Sequence, residues 1–223
     1  MRIRLALPFA AVMLAGCGTS DHSRFYVLTE NPAVLARATV ASPTMTIALG
    51  AVKLPAALDR PQMARRLNSD EISYSEYDRW AGPLDEMFRR VLIADLDGRL
   101  APGLVLIENN PTSPANLTIA VDVLRFDADA AGAVTLKARW EALGQKGSLA
   151  GAPSDVMIVK PGSGRDAEAV AATMSRAVAD LAIQIVGSLG AVVAVDQSGR
   201  NSVEACQIRG EIDADQGEVG SIT

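Results

Sequence analysis

Between Leu117 and Ala142 the apolar residues fall on alternate positions twice over. Leu117, Ile119, Val121 and Val123 share one parity, and Val134, Leu136, Ala138, Trp140 and Ala142 share another, with Thr135, Lys137, Arg139 and Glu141 interleaved. Side chains along a strand point alternately to opposite faces, so each run predicts a strand with one dry and one wet face. The intervening DADAAGA segment has turn composition, which makes the pair an antiparallel hairpin. A sheet dry on one face needs a cover of apolar helix stripes.

The sequence supplies two such stripes. Leu84, Met87, Phe88, Val91, Leu92, Leu96 and Leu100 recur at three- and four-residue steps behind Pro83, whose missing N–H suits a helix start, and Pro102-Gly103 is the stop. From about Arg165, Val170, Met174, Ala177, Val178, Leu181 and Ile185 form a second stripe, with Asp166 and Glu168 in the electropositive first turn. Further strands are expected at Arg24 to Leu28, at Thr44 to Val52 with a bulge at Gly50, at Leu104 to Ile107 before the ENNPTSP loop, and at Asp155 to Lys160. Met63 to Leu67 and Glu71 to Tyr74 read as a hairpin around Asn68-Ser69-Asp70. The expected fold class is α+β: a mixed, largely antiparallel sheet with two amphipathic helices packed on it in a single domain.

The chain begins with Arg2 and Arg4, then a short apolar stretch from Leu5 to Gly16, then Leu14-Ala15-Gly16-Cys17 as a boundary. The apolar stretch is too short to span a bilayer, and its basic start and small residues before a cysteine have the build of a lipoprotein signal peptide. A buried helix that happens to contain a cysteine fits less well, because GTSDHS turns abruptly polar after Cys17. The expected organisation is a signal peptide over 1–16, lipidation at Cys17, a tether over 17–23, one domain over 24–190 and an acidic flexible tail over 191–223. With about 0.8 kcal/mol per buried CH₂, more than one acyl chain on Cys17 makes a durable anchor. Gly18, where an aspartate would favour inner-membrane retention, points to the outer membrane.

Composition narrows the function classes. Loss of Arg2 and Arg4 leaves 19 basic against 26 acidic side chains, a formal charge of −7, which argues against nucleic acid and against a broad electrostatic grip on anionic lipid. Apart from the signal segment, no apolar run in the sequence approaches about 20 residues. The one histidine, His22, lies in the tether, and Cys206 has only Cys17 for company, so no His-dependent triad, zinc site or disulfide framework is expected. Neither a GxSxG elbow, a Walker A loop nor an HExxH helix occurs. Asp122 points away from the dry face, and Asp127 and Asp129 read as turn residues, so an acid/base pair would arise only by chance of folding. No cofactor is expected.

Several pieces then point to a family. FYVL near the start, LDRPQMARR from Leu58, YDRWAGPLDEMFRRVLIADL from Tyr77 and VDVLRFDADAAGAVTLKARWEAL from Val121 occur in that order. The sequence resembles the ABC-type transport auxiliary lipoproteins of the PqiC type over about Arg24 to Leu189. It departs from them at Ala56-Ala57, where many relatives carry a larger residue, and in the acidic tail. The resemblance implies a non-enzymatic, periplasm-facing subunit of a lipid-transport system in the outer membrane. Its implied partners are an MCE-domain periplasmic protein, which forms a tunnel, and an inner-membrane component. Homo-oligomerisation is compatible with all of this. The competing classes are a structural or assembly lipoprotein of another envelope complex and a periplasmic hydrolase.

Candidate partner-binding residues are Arg60, Pro61, Arg79, Trp80 and Arg89. An arginine fork beside a proline can meet a carboxylate, or the pair can simply brace the hairpin. Trp80 is large enough to anchor an interface, and its place before a helix equally suits a packed hydrophobic staple. Arg79 can pair with Asp78 or Glu86, while Arg89 lies off the apolar stripe of the first helix.

Overall fold

The computed structural model describes residues 22–31, 45–107 and 114–190. Cys17, the 1–16 segment and the acidic 191–223 segment lie outside the described residues. Among the described residues, eight strands form one open mixed sheet: β1 (Arg24–Tyr26), β2 (Met45–Lys53), β3 (Gln62–Arg66), β4 (Ile72–Trp80), β5 (Leu104–Leu106), β6 (Leu117–Asp129), β7 (Val134–Gly144) and β8 (Ser154–Lys160). Two α-helices join them, α1 (Leu84–Asp97) and α2 (Ala167–Gly190).

β6 is the spine of the sheet. Along one side it pairs antiparallel with β7, from Leu117 opposite Gly144 to Ala128 opposite Val134, and β8 pairs antiparallel beyond β7. Along its other side β6 takes two parallel strands in succession, β2 from Leu117 to Asp122 and β3 at Ala128 and Asp129. β5 lies parallel beyond β2, and β4 and then β1 extend the sheet beyond β3. The longest pairing is the antiparallel one of β6 with β7, with eleven residue pairs in register.

The alternation anticipated for the central hairpin is present. Leu117, Ile119, Val121 and Val123 of β6 and Val134, Leu136, Ala138, Trp140 and Ala142 of β7 are all buried. The register of β2 against β6 slips between Leu49 and Val52, at the glycine expected to bulge. A Cβ on Gly50 would stand 2.7 Å from the Thr118 methyl, so close approach of the two strands requires glycine there.

Two strands are longer than the sequence pattern suggests. β4 runs on from Tyr74 to Trp80, and β6 runs through Asp127 and Asp129 instead of turning at them. The actual turn is tighter: Asp129 Oδ1 accepts from the N–H groups of Ala131 and Ala133, and Gly132 adopts φ +88°. α1 starts at Leu84, directly after Pro83, and ends three residues short of Leu100. Asp166 lies just before α2, not within its first turn, and its carboxylate caps the helix by accepting the Ala169 N–H at 2.8 Å.

The core lies between the sheet and the helices. Phe88 of α1 meets Phe126 of β6 edge to face, ring centroids 5.3 Å apart and planes at 89°, a geometry that aligns the positive edge of one ring with the negative face of the other. By length and composition α2 could cross a membrane, yet Ala177, Val178, Leu181, Ala182, Ile185 and Leu189 are fully buried within the domain. The chain leaving β1 is fastened to both helices: Thr29 N–H donates to Ser175 Oγ of α2, and Asn31 N–H to the buried Asp95 carboxylate of α1. Arg99 completes this latch by pairing with Asp95 and donating to the Asn31 carbonyl.

Candidate functional site

Four of the five candidate residues meet where β3 begins and β4 ends. The Trp80 N–H donates to the Pro61 carbonyl at 2.6 Å, and Arg79 stands in register with Gln62. The preceding loop, Ala56 to Arg60, is pinned to β4 through Tyr74, whose hydroxyl donates to the Ala57 carbonyl at 3.0 Å. The Arg60 guanidinium lies over the Tyr74 ring, 4.3 Å from its centroid. Arg60 and Pro61 are exposed, and among the described residues the Arg60 guanidinium donates no hydrogen bond, its backbone N–H alone being paired, with the Leu58 carbonyl. Its N–H groups therefore face solvent on a side chain already held in place by stacking.

Trp80 has the opposite environment. Only 4% of it is exposed and it belongs to the core beside Leu84 and Met87, so its indole is packing and not a surface anchor. Arg79 is half-buried with Nε lacking an acceptor among the described residues. Arg89 is held elsewhere, on the exposed side of α1, where it donates to the Leu49 carbonyl at 3.2 Å. There it borders a groove of about 490 Å³ whose walls include Ile93 and Leu106.

The charged residues that sequence parity alone could not pair are resolved by register. Asp78 accepts from Arg24 Nε at 2.9 Å, from the Tyr26 hydroxyl at 3.3 Å and from Ser75 Oγ at 2.9 Å, tying β1 to β4. Burial, then the Asp78 carboxylate, push the Tyr26 hydroxyl above its ordinary range. On the open face of the sheet Lys53, Asp122, Arg139 and Asp155 stand opposite one another in turn across β2, β6, β7 and β8, a row of alternating charge. Arg139 binds Asp155 through two hydrogen bonds of 2.8 and 2.9 Å, which hold the Asp155 carboxyl below and the Arg139 guanidinium above their usual ranges. A shallow cleft of about 210 Å³ lies along this row.

Asp127, expected in a turn, is instead buried on β6 and paired with both Arg66 and Arg125 at 2.9 Å. A general acid at neutral pH needs a carboxyl pushed upward, whereas Asp155 and Asp166 are held below the ordinary carboxylate range by Arg139 and by the Ala169 N–H. Among the described residues no three of His, Cys, Asp and Glu come together in a metal-binding group, and His22 is exposed on the tether.

A sheet with two covering helices, a fastened N-terminal strand and an exposed cation on a pinned loop can now be set beside known proteins. The family model of the ABC-type transport auxiliary lipoprotein component matches residues 26–186. The chain belongs to that family. It is a family of transport components and not of enzymes. Two solved structures show the same fold as this auxiliary lipoprotein chain. A crystal structure of an uncharacterized protein aligns with TM-score 0.63 and 19% identity, covering 76% of this chain and 99% of its own. Protein XCC0632 from Xanthomonas campestris aligns with TM-score 0.59 and 22% identity, covering 78% and 99%. No curated protein matches the sequence.

Proposed function

We propose that the protein is an accessory subunit of an MCE-type lipid transport system, tethered to the outer membrane by acylated Cys17 and facing the periplasm, where it docks the transport tunnel without catalysing a reaction. The observation that carries the docking role is Arg60: an exposed guanidinium, stacked on Tyr74 and donating to nothing else among the described residues. A cation already ordered in the free protein loses little further entropy on meeting a partner carboxylate, and its planar fork suits bidentate contact. Membership of a transport-auxiliary lipoprotein family supports the lipid anchor and the association with an ABC-type transporter.

Cells fed labelled palmitate test the anchor. The wild-type chain should carry label in the outer-membrane fraction and co-purify with an MCE-domain protein from detergent extracts. Cys17→Ala should leave an unlabelled precursor; normal labelling and mature size in that variant would overturn the anchor.

A further inference from the structure

We infer that the β1 edge of the sheet, through Phe25 and Val27, is a second contact between this domain and the phospholipid surface that holds Cys17, an inference that rests on the acylation proposed above. Among the described residues β1 is an end strand, paired with β4 alone. Along it the chain alternates: Tyr26 and Leu28 pack on the core, while Phe25 and Val27 are 64% and 48% exposed. The register sets Phe25 beside the half-buried Arg79, whose Nε is enclosed in the protein. An aromatic ring and a branched aliphatic side chain thus share one outward face.

The covalent connection brings that face to the bilayer. Six residues lie between Cys17 and Arg24, and the seven steps from one Cα to the next, fully extended, reach at most about 25 Å. A domain of this length is roughly 40 Å across, so the tether is shorter than the body it carries and keeps β1 nearer the lipid than the far side of the domain. An exposed phenylalanine and valine lose water contact by entering the interface. Such a contact is weak alone and is made effective by the tether, which keeps the local lipid concentration high.

Trp80 and Trp140, the only tryptophans in the sequence, are both buried. A Phe25→Trp substitution therefore adds an indole that reports on the edge. The chain from Cys17 onward, carrying Cys206→Ser, is coupled through the Cys17 thiol to maleimide-headgroup lipid in phosphatidylcholine and phosphatidylglycerol vesicles, so the result does not depend on cellular acylation. Phe25→Trp emission should shift to the blue on coupling and lose intensity when the phosphatidylcholine is brominated. Val27→Trp should do the same, whereas Met157→Trp on β8, at the opposite end of the sheet, should not. Equal quenching at positions 25 and 157, or no quenching at either, overturns the inference. So does a blue shift that appears without lipid and grows with protein concentration, which would make β1 an edge between two copies of the chain. Palmitate labelling of Cys17 tests the anchor separately.

Discussion

Gly132 packs against Gly164 so closely that a Cβ on Gly132 would stand 2.0 Å from the Gly164 carbonyl oxygen. With φ at +88°, the β6–β7 turn thus needs glycine both for its own conformation and for the loop that leads into α2. Gly162 meets the same turn, a Cβ there standing 2.5 Å from the Gly132 carbonyl. Gly132→Ala should destabilise the domain by more than about 2 kcal/mol, since positive φ and backbone overlap add. Urea unfolding with an unchanged m-value would measure it; a loss under half that size would mean the two loops can part freely.

Asp127 holds the second test. It is 3% exposed, but the Arg66 and Arg125 side chains that flank it are 23% and 36% exposed. Breaking a fully buried pair costs about 3–5 kcal/mol, yet these guanidinium groups can still reach water. Asp127→Ala should therefore cost only about 1–3 kcal/mol, measured by chemical unfolding.

Acid should act in a defined direction at Asp155 and Asp166. Both carboxyls are lowered from 3.8, the first chiefly by its hydrogen bond to Arg139, the second chiefly by the Ala169 N–H. A depressed folded-state value means stability that is present above the unfolded value and lost as pH falls through the folded one. The Tm advantage of wild type over Asp155→Asn or Asp166→Asn should thus be steady near neutrality and vanish as pH drops below 3.8. The Asp155 difference should also shrink in high salt, since the pair is exposed. An advantage that widens in acid would reverse the assignment.

Trp80 and Arg60 sit a few residues apart in the structure's hydrogen-bond ladder but should respond differently. Trp80→Ala should cost about 3–5 kcal/mol of stability, as expected for a buried aromatic. Arg60→Glu gives up only its stacking on Tyr74, about 1 kcal/mol. Thermal unfolding of both variants checks this. Similar losses would place Arg60 in the core architecture and remove it from the docking surface.

The β6–β7 hairpin, the two helix stripes and the bulge at Gly50 were legible because each is a local period or a single residue with a backbone reason. The extension of β4 was not: from Ser75 to Arg79 polar residues occupy both parities, and the strand exists because β1 and β3 pair with it on either side. Asp127 resembled a turn residue because its partners Arg66 and Arg125 include one 61 positions away, a distance no local pattern encodes. The candidate site was legible in part. LDRPQ marked the Arg60 loop, but only the folded chain places Tyr74 beneath that arginine and buries Trp80.

The docking of an MCE-domain partner is tested most directly by sedimentation of the purified partner with the soluble domain starting after Cys17. The wild-type domain should co-sediment with the partner at tens of micromolar, and Arg60→Glu should weaken that association while keeping a wild-type unfolding transition, because charge reversal turns a carboxylate contact into repulsion. No association of the wild-type domain under these conditions, or undiminished association of Arg60→Glu, would contradict the account.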